Sequence, residues 1–163
     1  VRASSKTERI AAQARIMGLR KQVIDQMIAI LNDPVDHGEE WLNPHTSRNI
    51  ALAVLGEMRS EEAVPHIVKW LQPQEGQVVI EDRSVRFSPA GNALIKIGKP
   101  AVPTLIALIE AEGDEYSQKG FISRILSEIE GVEGAEFVLK KALRSQTKEE
   151  SKERIESALT RLR

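Results

Sequence analysis

The chain contains no cysteine. Disulfides, thiolate metal sites and a cysteine nucleophile are therefore excluded, and the redox compartment is left open. Aromatic residues are scarce, at 4% of 163 residues. Core volume must come from Leu, Ile, Val and Ala, which suit packed helices better than an aromatic-rich β-sandwich. No apolar run approaches the roughly 18 residues that a transmembrane helix needs. An excess of charge of one sign is also missing: 29% of residues are charged, but the formal net charge is −1. Such a balance provides no general attraction to nucleic acid or to an anionic membrane. Initiator Met is absent too, since the chain opens Val-Arg-Ala. A processed product or an excised fragment is expected. A soluble protein, cytoplasmic or exported after loss of a signal peptide, fits this start.

The usual catalytic signatures are lacking as well. There is no Gly-x-Ser-x-Gly, P-loop, Gly-x-Gly-x-x-Gly or His-Glu-x-x-His. Carboxylate pairs such as Glu61-Glu62 precede a helix, where they favour its positive end.

What is present is a repeat. Val23–Leu31 aligns without gaps with Ala63–Leu71 and with Ala101–Ile109, and Ala135–Leu143 is a weaker fourth copy. Copies start 34 to 40 residues apart, the spacing of paired-helix repeats. Within the first three copies apolar residues fall at places one, two, five, six and nine, on one helical face. Pro65 and Pro103 stand in the first turn, where a missing N–H breaks no hydrogen bond. Each copy is read as a helix B. Before it lies an amphipathic helix A closed by glycine: Ile10–Met17 before Gly18, Arg48–Leu55 before Gly56, Ala93–Ile97 before Gly98, and Phe121–Ile129 before Gly131. Glycine there would supply the left-handed residue that ends a helix. Lys148–Leu162 carries Ile155, Leu159 and Leu162 on one face and reads as a charged terminal cap.

The Ala-x-x-x-Leu-Gly end of helix A and the Ala-Val-Pro-x-aliphatic-aliphatic opening of helix B resemble HEAT repeats of the phycobilisome-lyase-like, armadillo-type class. The resemblance implies an all-α, right-handed α-solenoid in a single domain. About four helix pairs are expected, near 5–32, 46–72, 89–111 and 116–144, with a capping helix at 148–163. The class specifies a fold and leaves function open.

Two connections are longer than the repeat requires. Residues 32–45 hold His37, His45, Asp36, Glu39 and Glu40. Zinc or iron can use such ligands, and HEAT-repeat hydroxylases use paired His-Glu steps. The chain has only His37-Gly38-Glu39, once, so no metal and no other cofactor is expected. Residues 72–89 include Val78–Ile80 and Val85–Phe87, whose alternation predicts a small β-hairpin at 78–87. It either folds back on the helices or meets a partner.

As the resemblance implies, B helices line the concave face. Their non-core rows are then Gln26, His66 and Thr104; Ala29, Lys69 and Ala107; and Ile30, Trp70, Leu108 and Ala142. The last row is apolar throughout. It either widens the core or forms a strip that binds a peptide or helix, with Trp70 as anchor. The expected function is a non-catalytic protein–protein interaction scaffold or adaptor. Its candidate contact residues are Gln26, Ile30, His66, Lys69, Trp70, Thr104 and Leu108. The alternative is a bilin-lyase-like or metal-dependent HEAT-repeat enzyme. Nucleic-acid binding ranks below both, because Lys69 is the chief cation of that face. Acids from Glu110 to Glu136 and bases from Lys140 to Arg154 either pair across the surface or offer a basic end to an acidic partner.

Overall fold

A computed structural model describes residues 2–33, 47–71, 80–81, 84–85, 88–111 and 116–162. The chain is all-helical in class. Helix α1 (Arg2–Leu31) is followed by α2 (Ser47–Glu57) and by the short α3 (Val64–Ile67), which has a 3-10 turn on each side. Then come α4 (Pro89–Ile97), α5 (Val102–Glu110), α6 (Tyr116–Ser145) and α7 (Glu149–Thr160). Two short strands, β1 (Ile80–Glu81) and β2 (Ser84–Val85), pair antiparallel, with Ile80 opposite Val85 and Glu81 opposite Ser84. The rest of the 78–87 insertion, and the His37–Glu39 loop, lie outside the described residues.

Periodicity places the core. In the second and third B segments Ala63, Val64, Ile67 and Leu71 are buried, as are their counterparts Ala101, Val102, Leu105 and Ile109. In α1 the same places hold Ile24 and Leu31, also buried, with Met27 and Ile28 packed against the core. Ala135 and Leu139 repeat the pattern in α6. Helix α2 packs most extensively on α4 and also on α1, α4 touches α6, and α5 and α6 both pack on α7. One continuous apolar core results, running from Ile24 to Ala158.

The joints differ in what makes them. At α4, Ser88 caps the helix start by accepting a bond from the Gly91 N–H at 3.1 Å, and Pro89 occupies the first turn. Gly98, at φ 81°, ends α4, and the chain turns by 112° into the Lys99–Glu110 segment. Gly131, at φ 75° and ψ 164°, interrupts α6 where the sequence places the end of a helix A.

Two glycines behave otherwise. The repeat pattern has Gly18 separating a helix A from the first helix B, yet α1 runs unbroken for 30 residues. Glycine weakens a helix interior by about 1 kcal/mol and does not by itself stop one. Leu19, Arg20, Lys21 and Gln22 then continue it as good helix formers, with no proline to intervene. The 5–32 segment is therefore a single helix and not a pair. The same pattern makes Gly56 left-handed, but it is helical and buried within α2. A Cβ placed on it would lie 2.9 Å from Ala93 Cα, so its service is to let α2 approach α4. The left-handed residue of that turn is Arg59, at φ 47°.

The expected cap is α7. Ser151 Oγ donates to the Glu110 carbonyl at 3.4 Å and Arg154 Nη1 donates to the same oxygen at 2.9 Å. That oxygen is one of those left without an intrahelical partner at the end of α5. Ser123, fully buried, ties α6 to α7 by donating to the Ala158 carbonyl at 3.1 Å.

Candidate functional site: the helix B rows

The three expected contact rows differ in exposure. Ala29, Lys69 and Ala107 are exposed in all three copies. Gln26 is exposed, while His66 and Thr104 are half-buried. Ile30, Trp70 and Leu108 are also half-buried and pack against the core, and Ala142 is buried. The apolar row thus borders the core along its whole length. Its depth comes from helical geometry, because a residue one place before a core position lies about 100° from it.

Trp70 shows how the row is held. Its indole N–H donates to the Leu31 carbonyl at 3.2 Å, an oxygen at the end of α1 that no further turn of helix can use. The Arg48 guanidinium of α2 lies over the indole ring, 3.8 Å from its centroid. Stacking of this kind adds a cation–π attraction, worth about 0.5–2 kcal/mol depending on exposure. Trp70 therefore joins three segments, α1, α2 and the turn after α3. Four residues before it in the same segment, His66 Nδ1 shares a hydrogen bond with the Asn32 side-chain amide at 3.0 Å. Both contacts bind the end of α1 to the Ala63–Leu71 segment, so two of the expected contact residues also tie that segment to α1. Arg48 and Asn32 carry no signal in the sequence, because neither lies on a repeated position.

At Glu57 the Lys96 ammonium hydrogen-bonds and attracts the carboxylate, and with a smaller pull from Arg59 holds it below the ordinary 4.5. Both partners are well exposed, and the pair joins α2 to α4 on the surface. Lys99 and Glu130, 3.6 Å apart, link the turn before α5 to α6. Among the described residues of the C-terminal half, Glu136–Lys140 at 2.6 Å, Glu149–Lys152 at 2.9 Å and Glu150–Arg154 at 3.8 Å pair within single helices. No group of three His, Asp or Glu side chains among the described residues could hold a metal ion. No single described helix is long and apolar enough to cross a membrane.

An open groove of about 390 Å³ lies between α1 and the turn at Arg59–Glu62. Met17 and Ile24 form an apolar part of its wall, and Arg20, Lys21, Glu61 and Glu62 line it with charge. Arg20 donates to the Met58 carbonyl and Lys21 pairs with Asp25 at 3.2 Å. Ser60 also lines it, with a buried hydroxyl that has no hydrogen-bond partner among the described residues. The repeat pattern gives no hint of this groove, since it depends on α1 continuing through Gly18. Comparison of the chain with protein-family models, with curated proteins and with solved structures found no match.

Proposed function

We propose that the chain is a non-catalytic protein-interaction scaffold, built as a right-handed HEAT-like solenoid, that holds a partner along its helix B face. The observation that carries this reading is the register of burial between copies. Places one, two, five and nine of the second and third B segments are buried, and place seven is exposed in each. A helix pair cannot bury its apolar face alone, and stacked copies bury it jointly. Stacking in register leaves the exposed places as parallel rows, which is the surface a scaffold of this type uses.

On this reading Gln26 and Lys69 make polar contacts from the outer rows. His66 and Thr104 sit deeper between them. Ile30, Trp70 and Leu108 form the apolar floor, reached through their half-exposed edges. The expected small hairpin is supported by the Ile80–Val85 pairing.

The test uses the exposed rows, where substitution leaves the fold alone. Wild type and a Gln26→Glu/Lys69→Glu double variant are immobilised side by side, and retained proteins are compared at equal loading. A specific partner held by wild type and lost by the variant, at unchanged melting temperature, is the expected result. A partner held equally by both would remove the helix B face from the proposal.

A further inference from the structure

Helix α1 leaves one face uncovered alongside the body it packs on. Every described residue from Gln13 to Val23 is exposed, a stretch about 16 Å long. Large apolar side chains stand in it: Ile16 is 65% exposed, Leu19 62% and Val23 36%. Their spacing is three and then four residues, the a, d, a order of a coiled-coil seam, with β-branched residues at a and leucine at d. Polar Gln26 takes the next d position, and Ile30, the a position after it, lies at the edge of the core. Arg15 and Arg20 take the flanking g and e positions, and Lys21 lies farther round the helix. Between Gln13 and Ile24 there are three cations and no acid. The wider sequence has the same asymmetry: residues 1–24 hold six Lys and Arg against one Glu, and the remainder holds 17 against 23 Asp and Glu.

We propose that the exposed seam of α1 pairs with an acidic helix of another protein, one with apolar residues at a and d and carboxylates at e and g. Charge selects this occupant. Two copies of α1 side by side in parallel would bring Arg15 of one against Arg20 of the other, and like charges at e and g reject a pairing. Carboxylates at the partner's flanks would meet both guanidinium groups, which the Met58 carbonyl orients in the case of Arg20 without neutralising it. An anionic membrane is the poorer fit. The seam is a narrow stripe with cations on either side and at its back, whereas a helix lying in a bilayer interface needs a wide apolar face opposite a charged one. Glu61 and Glu62 border the neighbouring groove, on the side of Met17 and Ile24, and not the seam. The inference is separate from the helix B face and shares only Gln26 and Ile30 with it.

The test uses the whole chain and two labelled peptides of about three heptads, the shortest length that gives a sustained seam. Both have Ile at a and Leu at d; one has Glu at e and g, the other Lys. Fluorescence anisotropy should show the Glu peptide binding at least roughly tenfold tighter than the Lys peptide, with affinity falling as salt rises. A Leu19→Ser/Val23→Ser variant should lose about tenfold in affinity while its melting temperature stays that of wild type. Lys69→Glu should leave peptide binding unchanged, which separates this surface from the helix B face. Equal affinity for the two peptides would overturn the proposal, as would undiminished binding by the double variant. Sedimentation showing self-association that the double variant abolishes would assign the seam to a second copy instead. Leu19-dependent binding to phosphatidylserine vesicles, without binding to the Glu peptide, would assign it to a membrane.

Discussion

Replacing Gly56 by alanine tests the packing of α2 on α4 more sharply than any large truncation. The added methyl carbon would stand 2.9 Å from Ala93 Cα, 3.3 Å from Ala93 Cβ and 3.4 Å from the Ala93 carbonyl oxygen. Carbon atoms in contact prefer about 3.5–4.0 Å, so the two helices must part by roughly half an ångström or more. All of these neighbours belong to the backbone or the first side-chain carbon of α4, so no flexible side chain can swing aside. Overpacking of this kind costs about 1–3 kcal/mol. Alanine returns roughly 0.8–1.0 kcal/mol through its better helix propensity. The expected balance is a loss of about 1 kcal/mol, or roughly 2–4 °C in Tm for a chain of this size. Two other glycines calibrate the measurement. At Gly18 an alanine methyl would have no atom within 4 Å, so Gly18→Ala shows only the propensity gain, as unchanged or slightly raised stability and higher helical content by circular dichroism. Gly131 sits at φ 75°, where a side chain is strained whatever the space, and Gly131→Ala should cost about 1–3 kcal/mol. Urea denaturation of the three variants orders them directly. A Gly56→Ala protein as stable as wild type, or more stable, would refute the close approach of α2 and α4.

Leu52→Ala and Leu105→Ala remove side chains that are almost wholly buried, and each should cost about 2–5 kcal/mol; equilibrium denaturation showing under about 1 kcal/mol contradicts the core placement. Trp70→Phe keeps a ring for Arg48 to cover but leaves the Leu31 carbonyl without its donor, so stability should fall by about 1 kcal/mol; no change in Tm means the indole N–H bond does not form in solution. The Glu57 carboxyl is held low in the folded chain, so the unfolded chain takes up its proton more readily. Its stabilising contribution is therefore present above pH 4.5 and fades as pH falls through the lower folded value. Glu57→Gln should lie slightly below wild type in Tm at neutral pH, by little because the pair is exposed and screened by salt, and the two profiles should converge in acid; profiles that diverge in acid show the sign to be wrong.

The core was largely legible in the sequence because helical periodicity is a local property. Val64, Ile67 and Leu71 announce their burial by spacing, and Val102, Leu105 and Ile109 repeat it. Joints between helices were not legible to the same degree, and three glycines show why. Gly18, Gly98 and Gly131 look alike in sequence, each following an amphipathic stretch and preceding an apolar one. Glycine permits a break; packing decides whether one occurs. On either side of Gly131 both segments are buried, Ile122, Ile125 and Leu126 before it and Ala135 and Leu139 after it. A straight helix could not place both sets in the same core, so the chain bends. From Gln13 to Val23, every residue of α1 is exposed. No contact there requires a turn, and the helix continues through Gly18. The candidate site follows the same rule. The row of Ile30, Trp70 and Leu108 could be read as apolar from spacing alone. What holds Trp70 within that row is the Leu31 carbonyl and Arg48, groups 39 and 22 residues from it in the chain. The exposed seam at Ile16, Leu19 and Val23 became visible only once α1 was seen to continue through Gly18 with that face exposed. Apolar spacing predicts that a face will seek cover, and only tertiary structure shows whether the chain itself provides it.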